Sequence, residues 1–342
     1  MPNIVLIGGS AGSIDALKRI LDGLPKDFPA AVLIVVHVGA HESMLPTLLA
    51  RCSALPVHHA VQGEPILPGR VLVAPPDVHL AVTRDGGRLY AQLSRGPKEN
   101  HSRPAIDPLF RSAAASCGAE SIAVVLSGFL DDGTIGLQAI TTCGGIAIVQ
   151  DPADAEVPEM PASALKYTDV DFVRKVDEIA PLLSTLVSQP LPSAAAAEAV
   201  GAPATGAELP AWIGVENRMF TEGAEMKELD QIGDRVALTC PECGGAIWEI
   251  RDAKPLRYRC HTGHAFTARV LETLQGGETE EALWAAVRSL HEQEQLYRDM
   301  HSKSPDSDSG GEYLRKAEQA KAHGRLLRDL IATRMEIGQP SQ

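Results

Sequence analysis

The first half of the sequence predicts an α/β fold, a doubly wound and mostly parallel sheet with helices on both faces. Short apolar runs rich in β-branched residues and bounded by glycine are typical of strands that are buried on both faces. Between these runs lie stretches whose apolar residues recur at helical spacing. Alternation of this kind predicts parallel strands joined by right-handed crossovers. Beyond this domain the sequence predicts a small zinc-ribbon-like module and an α-helical hairpin.

Each predicted element of the first domain corresponds to its own stretch of sequence. The apolar runs predict strands at Asn3–Ile7, Ala31–Val36, Val71–Ala74, Leu80–Val82, Ile122–Leu126 and Ile146–Val149. The amphipathic runs predict helices at Ser13–Leu24, Glu42–Cys52, Pro108–Cys117 and Gly136–Cys143. Val170–Val187 has the pattern of a closing strand and helix, so we expect the first domain to span residues 1–187.

The remaining residues divide by composition. Residues 188–211 are almost entirely Ala, Pro, Gly and Ser, which cannot bury enough apolar surface to offset their ordering entropy and therefore predict a flexible linker. Residues 212–274 hold a compact segment with three cysteines, and residues 275–338 predict a hairpin of two amphipathic helices, Glu278–Met300 and Glu312–Glu336, with a turn at Ser302–Gly311. The first helix has an apolar stripe that packs on the second helix or docks a signalling partner, formed by Leu283, Trp284, Val287, Leu290 and Leu296.

The overall charge and hydropathy exclude several function classes. The 342-residue chain has a formal net charge of −13 and a pI near 5.3. Nucleic acids and anionic membranes are negatively charged and bind basic surfaces. An acidic chain is therefore not expected to bind either. No stretch approaches the roughly 18–20 apolar residues that span a bilayer, and the N-terminus lacks the basic start of a signal peptide. We therefore expect a cytoplasmic protein.

Three reactive side chains follow three different predicted strands. Ser10 lies in the glycine-rich turn after the first strand, His37 follows the second, and the Asp131-Asp132 pair follows a later one. The carboxyl ends of parallel strands meet at one edge of a sheet, so these groups are expected to lie close together. A serine becomes a nucleophile when a histidine takes its proton and a carboxylate orients that histidine. Backbone N–H groups near Ser10 and Ala11 would then hold the oxyanion.

Each of these features also has a simpler interpretation. Ser10 is also what a helix N-cap requires, and His37 and the aspartate pair could be structural. The glycine-rich turn could cradle a phosphate, as in a dinucleotide-binding domain. It does not match G-x-G-x-x-G, however, and the second strand ends in His37 rather than in an acidic residue for a ribose.

The same stretches, in the same order, resemble a known family. They are Ile7–Gly12, Val35–His37, Val73–Leu80, Arg103–Phe110, Leu126–Gly133, Gly144–Asp151 and Met160-Pro161. Residues 1–187 thereby resemble the catalytic domain of the chemotaxis protein-glutamate methylesterases, the CheB family. The resemblance implies that Ser10 is the nucleophile, His37 the base and Asp132 the orienting carboxylate, with no cofactor for catalysis. It implies hydrolysis of glutamate γ-methyl esters on chemoreceptor helices with release of methanol, and deamidation of glutamine by some members.

The sequence departs from the family pattern in three places. The hydrolase-like region starts at residue 2, so the resemblance is to a stand-alone form without the family's receiver domain. Ala11 stands where the family usually has threonine, and Phe129-Leu130 stands where it has Met-Gly. Arg103 and Asp107 match positions near the family's cleft, where they contact substrate or form a structural ion pair or turn. A catalytically drifted adaptor of a chemosensory complex is the alternative function.

A second cluster of residues has the spacing of a metal site. Cys240 and Cys243 form C-x2-C, and Cys260 and His264 form C-x3-H after sixteen intervening residues. An intervening hairpin, Ala246–Ile250 with Leu256–Tyr258, would bring the halves together into the closed tetrahedral site of a structural zinc ribbon. His261 is the alternative fourth ligand, and metal-free cysteines or a redox pair are the alternatives to zinc. The cysteine segment resembles a tail found in some stand-alone relatives of the methylesterase.

Overall fold

The computed structural model describes residues 3–39, 41–188, 209–221, 226–303 and 308–337. Its centre is a seven-stranded sheet in which every pairing is parallel. The strands of this sheet are β1 (Ile4–Gly9), β2 (Ala31–Val36), β3 (Val57–His59), β4 (Val71–Val73), β7 (Ser121–Val125), β8 (Ile146–Gln150) and β9 (Phe172–Arg174). Their order across the sheet is β3-β4-β2-β1-β7-β8-β9. The helices between them are α1 (Ser13–Asp22), α2 (Leu45–Ala50), α3 (Ile106–Cys117), α4 (Thr134–Thr142), α5 (Glu159–Tyr167) and α6 (Val176–Ser188).

Both faces of the sheet are covered by aliphatic side chains. Successive side chains of a strand point to opposite faces, and successive residues of β1 accordingly belong to different clusters. Leu6 packs in one cluster with α3, α4 and α5, whereas Val5 packs in the other with α1, α2 and α6. Burial on both faces explains why these strands are continuous apolar runs. The predicted α/β class, with helices on both faces of a parallel sheet, is confirmed.

One predicted strand lies outside the parallel sheet. Leu80–Val82 belongs to an antiparallel hairpin of β5 (His79–Asp85) and β6 (Arg88–Ser94). This hairpin packs over α3 and buries Leu80–Val82 of β5 together with Leu89 and Ala91 of β6, whereas the residues at its turn are exposed. Edge strand β3 has no apolar run of its own, because two of its three residues are histidines.

A smaller antiparallel sheet follows the predicted linker, of which residues 189–208 lie outside the described residues. Its four strands are β10 (Gly233–Thr239), β11 (Ala246–Ile250), β12 (Arg257–Cys260) and β13 (Ala265–Thr267). Two helices precede it, α7 (Ala211–Thr221) and α8 (Met226–Ile232), in a stretch whose mixed composition predicted no regular structure. We call these elements together the four-stranded module, and residues 3–188 the sheet domain.

Two long helices complete the chain, α9 (Ala268–Lys303) and α10 (Asp308–Ile337). Helix α9 begins ten residues before the predicted start because Thr267 caps it, its hydroxyl accepting a hydrogen bond from Val270 N at 3.3 Å. Both ends of the predicted turn at Ser302–Gly311 are helical in the structure, since α9 runs to Lys303 and α10 starts at Asp308, and residues 304–307 lie outside the described residues. Among the described helices, none combines the length with the apolar composition that a membrane span requires.

The described chain groups into two compact units, Met1–Val270 and Leu271–Gln342. The first holds both the sheet domain and the four-stranded module. Within the second, Arg298 of α9 pairs with Glu318 of α10 at 2.8 Å. The apolar stripe of α9 is only partly covered, because Val287 is buried whereas Trp284 and Leu296 are about half exposed.

Candidate active site

Ser10 lies in a tight turn between β1 and α1. The turn closes through Ser13, whose N–H and hydroxyl both donate to Ser10 O, at 3.1 and 2.6 Å. Gly12 has a left-handed φ of 75°, which favours glycine, and it leads directly into the helix. A side chain at Gly128 would lie 2.7 Å from Ser10 Cβ, so a glycine there leaves room for the serine. The turn therefore presents Ser10 at the carboxyl edge of the sheet.

His37 follows β2, the neighbour of β1 in the sheet, and joins Ser10 to Asp132. Its Nδ1 lies 3.1 Å from Ser10 Oγ, and its Nε2 lies 2.7 Å from Asp132 Oδ2. A carboxylate accepts hydrogen bonds only, so the imidazole proton must be on Nε2. Nδ1 is then the free acceptor facing the serine hydroxyl. The structure thus brings the three predicted residues into one hydrogen-bonded line.

Asp132 is buried, and donors saturate its carboxylate. Oδ2 accepts from His37 and from Ile106 N at 2.7 Å, while Oδ1 accepts from Asn100 Nδ2 at 3.0 Å and from Asp107 N at 3.3 Å. Burial alone would raise the pKa of Asp132, but the hydrogen bonds from His37, Ile106 and Asn100 outweigh it and hold the pKa below its ordinary value. Asp132 is therefore a fixed anion at neutral pH.

Asp107 lies beside Asp132 and has the opposite protonation tendency. It is buried and accepts hydrogen bonds from Gly136 N at 2.6 Å and Asn100 Nδ2 at 2.9 Å. Burial, followed by the negative charge of Asp132, raises the pKa of Asp107 well above its ordinary value. The two neighbouring carboxyls therefore differ in acidity, since the pKa of Asp107 is raised and that of Asp132 is lowered.

The oxyanion donors differ in part from those expected. Ser10 N–H donates to Ser127 O at 2.9 Å, so it is not available to substrate. Within the described part of the chain, the amides of Ala11 and Gly12 have no hydrogen-bond acceptor, and they stand at the N-terminus of α1. Both amides line an open cleft together with Ser10, His37 and Glu156. These two N–H groups can receive a developing negative charge.

Arg103 does not reach the cleft that contains Ser10. Its guanidinium pairs with Asp77, at 2.9 and 2.7 Å, and donates to Gly96 O at 2.8 Å. Arg103 and Asp107 therefore make separate contacts: the arginine holds the loop before α3, and the aspartate packs under Asp132.

The profile of one family, described as CheB methylesterase, matches residues 5–183, just over half of the chain. This chain belongs to the CheB methylesterase family. A protein-glutamate methylesterase/protein-glutamine glutaminase of Xanthomonas oryzae is 38% identical over 186 residues, 54% of this chain and 52% of that protein. The chain thus spans about half the length of that curated relative.

Two further comparisons cover nearly the whole of the other protein. A putative protein-glutamate methylesterase/protein-glutamine glutaminase of Leptospira interrogans is 39% identical over 183 residues, 53% of this chain and 93% of that protein. The crystal structure of the Thermotoga maritima CheB methylesterase catalytic domain superposes with a TM-score of 0.53 at 34% identity, covering 55% of this chain and all of that domain. The CheB-family region is therefore the sheet domain.

The cysteine cluster lies beyond the CheB-family match, in the four-stranded module. Cys240, Cys243, Cys260 and His264 bring four ligand atoms within 4.8 Å of one another. Cys243 Sγ lies 3.9 Å from Cys260 Sγ, and His264 Nδ1 lies 3.5 Å from Cys260 Sγ and 3.7 Å from Cys240 Sγ. Zinc bonds of about 2.3 Å to sulfur and 2.0–2.1 Å to nitrogen place tetrahedral ligands about 3.5–3.8 Å apart. The spacing therefore fits a tetrahedral metal.

The surroundings of the cluster support ligation by thiolates. His264 N–H donates to Cys260 Sγ at 3.2 Å, and the Thr262 hydroxyl lies 2.9 Å from the same sulfur. Such donors stabilise a charged sulfur and orient the ligands. His261, the alternative ligand, instead lies against Gly245, with Nδ1 3.5 Å from Ala246 O.

Sequence reasoning missed the residues that hold the carboxylate. Asn100 has no motif around it, and its contacts reach Asp132 and Thr267, far along the chain. Its only signal is its position just before Arg103-Pro104, at the entry to α3. The buried ion-pair cluster that includes Glu99 and Glu216 has no sequence pattern either.

Proposed function

We propose that this chain is a serine hydrolase that demethylates glutamate γ-methyl esters on chemoreceptor-type proteins and releases methanol. The observation that carries the proposal is the continuous Ser10–His37–Asp132 line, which stands at an open cleft. Relatives named protein-glutamate methylesterase/protein-glutamine glutaminase support the substrate class and suggest deamidation of glutamine as a second reaction. Such receptors present their methylated helices to the cytoplasm, where we place the activity.

The geometry suggests how each group acts. Ser10 Oγ attacks the ester carbonyl while His37 Nδ1 takes the hydroxyl proton, and the fixed anion Asp132 stabilises the imidazolium. The amides of Ala11 and Gly12 receive the oxyanion. His37 then returns the proton to the departing methoxide, so methanol leaves and Ser10 carries a glutamyl ester. Water, deprotonated by His37, hydrolyses that ester and regenerates the serine.

The deciding experiment is methanol release from a methylated chemoreceptor cytoplasmic fragment, wild type beside Ser10→Ala. We expect release by the wild type and a loss of several orders of magnitude in the variant, because the nucleophile is gone. Labelling by a fluorophosphonate probe gives a readout that needs no receptor. Equal release or equal labelling by the two proteins would contradict the assignment of Ser10. No labelling of either would favour the adaptor.

We infer that Cys240, Cys243, Cys260 and His264 bind a structural Zn²⁺. Three sulfurs and one imidazole complete a tetrahedron, which leaves no position for substrate. The metal would supply folding free energy to a module with a small apolar core and no part of the chemistry. We expect one zinc per chain by elemental analysis, none in Cys260→Ser, and full retention in His261→Ala. If His261→Ala lost its zinc, the fourth ligand would be His261 rather than His264.

We further propose the division of the chain into a methylesterase-like domain (1–187), a linker (188–211), a metal module (212–274) and a helical hairpin (275–338). The family match over residues 5–183 and the separate four-stranded sheet that begins at Gly233 support the division, while the contacts group residues 1–270 into one compact unit. Limited proteolysis provides the test, with the first cleavage expected between residues 188 and 211. First cleavage within residues 212–274 would contradict the division.

A further inference from the structure

A short hydrogen-bond path joins the four-stranded module to the carboxylate of the proposed triad. Thr267 N–H, at the end of β13, donates to Asn100 Oδ1 at 3.2 Å. Asn100 Nδ2 donates to Asp132 Oδ1 at 3.0 Å and to Asp107 Oδ2 at 2.9 Å. A backbone N–H can only donate, so the carbonyl of the Asn100 amide must face Thr267 and its NH2 group must face the two carboxyls. The module therefore determines which way the amide points.

The backbone of Asn100 is held by the same strand. Asn100 N–H donates to Ala265 O at 2.8 Å, one residue after the metal ligand His264. Asn100 has a left-handed φ of 51°, a conformation that asparagine tolerates better than most residues but that needs support. On either side, Glu99 pairs with Arg259 of β12 at 3.1 Å, and His101 pairs with Glu242 beside Cys243.

The module also contacts the residue before Asp132. The Thr267 hydroxyl donates to Asp131 Oδ2 at 2.9 Å, and both side chains are buried. Thr267 thus reaches the loop of Asp132 directly through Asp131 and indirectly through Asn100. Among the described residues, all four donors to the Asp132 carboxylate, including Asn100, belong to the sheet domain, so the module reaches Asp132 only through these two contacts of Thr267.

We propose that Asn100 is a positioning residue for Asp132 and that the metal-bound module sets its orientation. Loss of the metal would then lower the reactivity of Ser10 although no ligand touches the cleft. The inference rests on the proposed serine-hydrolase function. A carboxylate misplaced by about 1 Å costs on the order of 100-fold in rate, and we expect an effect of that size.

The first test compares two neighbouring glycine substitutions, Asn100→Gly and His101→Gly. Both residues have left-handed φ values, 51° and 61°, so glycine adopts the backbone of each without strain. Only Asn100 contacts Asp132. We expect Asn100→Gly to lower kcat and the rate constant of fluorophosphonate labelling by about 100-fold with KM for the receptor fragment unchanged. His101→Gly also removes a contact with the module, the pair with Glu242, but it should stay within about threefold of wild type, because the half-exposed His101 ring contacts neither Asp132 nor Thr267.

The second test removes the metal from full-length wild type and from Asn100→Gly with a chelator, with zinc content measured in each sample. If the module acts through Asn100, the two changes are not additive. Metal removal should slow labelling of the wild type by tenfold or more and leave the slow labelling of Asn100→Gly nearly unchanged. Readdition of zinc should restore the wild-type rate only.

The outcomes separate the two proposals. Equal slowing of both proteins by metal removal would mean that the metal only stabilises the fold, which overturns the positioning path. A labelling rate of Asn100→Gly equal to that of wild type, or a metal-insensitive wild type, would also overturn it, with the hydrolase function intact. Wild-type labelling that persists in Ser10→Ala would instead refute the hydrolase assignment itself.

Discussion

The sheet domain and the four-stranded module are held together by different forces. The sheet domain buries two large aliphatic clusters, one on each face of the sheet. The module buries one cluster of only six apolar side chains, which includes Trp248. In place of a larger core it has four candidate metal ligands and a set of buried charges. A short segment cannot bury enough apolar area to fold on its apolar core alone. We therefore expect the candidate metal ligands and the ion pairs to supply the remaining folding free energy.

The buried charges lie where the two regions meet. Glu99 and Arg111 of the sheet domain form a bidentate pair at 3.0 and 2.8 Å. Glu216 of the module pairs with Arg111 and Arg259, both at 3.2 Å, and also with Arg257. Burial would raise the pKa of Glu216, but the three guanidinium groups outweigh it and lower the pKa. The module thus depends on the sheet domain for its charge balance, whereas the amide of Asn100 in the sheet domain is oriented by Thr267 of the module.

The largest expected effect tests whether the chemistry depends on Asp132, which contacts His37, rather than on Asp131, which contacts the module. Asp132→Asn should lower kcat by about 10⁴-fold, because an amide that donates to His37 Nε2 forces the proton onto Nδ1 and removes the base. Asp131→Asn is the matched control, since an asparagine there still accepts from the Thr267 hydroxyl. We expect it within about tenfold of wild type, a loss of the size caused by small misplacement. Methanol release measures both, and equal losses would contradict the assignment of Asp132.

The sequence predicts the sheet domain well because each signal there is local. A strand that is buried on both faces, such as Ile4–Gly9, is an unbroken apolar run in the sequence, so it can be recognised without knowing its neighbours in the fold. The candidate metal ligands are equally easy to recognise in the sequence, since each half of the set lies within five consecutive residues. Ser10, His37 and Asp132 could be placed together because parallel strands end at one edge.

The parts that escaped prediction depend on distant contacts. Strand β3 is three residues long and half-buried. It forms because it pairs with β4, not because its own composition favours a strand. Asn100 and Thr267 are 167 positions apart, and only the packing of the module on the sheet domain brings them together. The amide of Ser10 donates to Ser127 O, so the amides of Ala11 and Gly12 are the ones left to bind an oxyanion. No local sequence pattern indicates the contact with Ser127.

A second prediction breaks the charge balance between the two regions. Glu216→Gln leaves three arginines with one carboxylate, and removing one partner of a buried ion pair costs about 3–5 kcal/mol of unfolding free energy. All three tryptophans lie beyond the sheet domain, at positions 212, 248 and 284, so urea unfolding followed by tryptophan fluorescence reports on the module and the helices. We expect a lower midpoint in this signal.

The matched control for that substitution is Glu228→Gln on the next helix. Glu228 pairs with Arg218 at 2.8 Å in a partly exposed position, and such pairs contribute at most about 1 kcal/mol. If Glu216→Gln were no more destabilising than Glu228→Gln, the buried charges would not be what stabilises the module. Its stability would then come from its small apolar core and the metal.

The smallest expected effect is a pH dependence that arises in the sheet domain, at its boundary with the module. His79 is fully buried, its Nε2–H donates to Pro97 O at 3.0 Å, and its Nδ1 accepts from Ala105 N at 3.2 Å. Phe220 of the module packs edge-on against the ring, with centroids 5.5 Å apart. Burial lowers the pKa of His79 to about 4, so the imidazole stays neutral in the folded protein at neutral pH.

The sign of the effect follows from which state binds the proton. As the pH falls below about 6.5, the unfolded chain protonates this histidine while the folded chain does not until about pH 4. Stability is therefore full above pH 6.5 and declines by up to about 3 kcal/mol between pH 6.5 and 4. His79→Gln can still donate to Pro97 O and accept from Ala105 N but does not titrate, so its unfolding midpoint should lose this part of the pH dependence. If the stability of both proteins declines equally over that range, the acid sensitivity comes from other groups. The neutral imidazole of His79 at the boundary between the two regions would then not be its source.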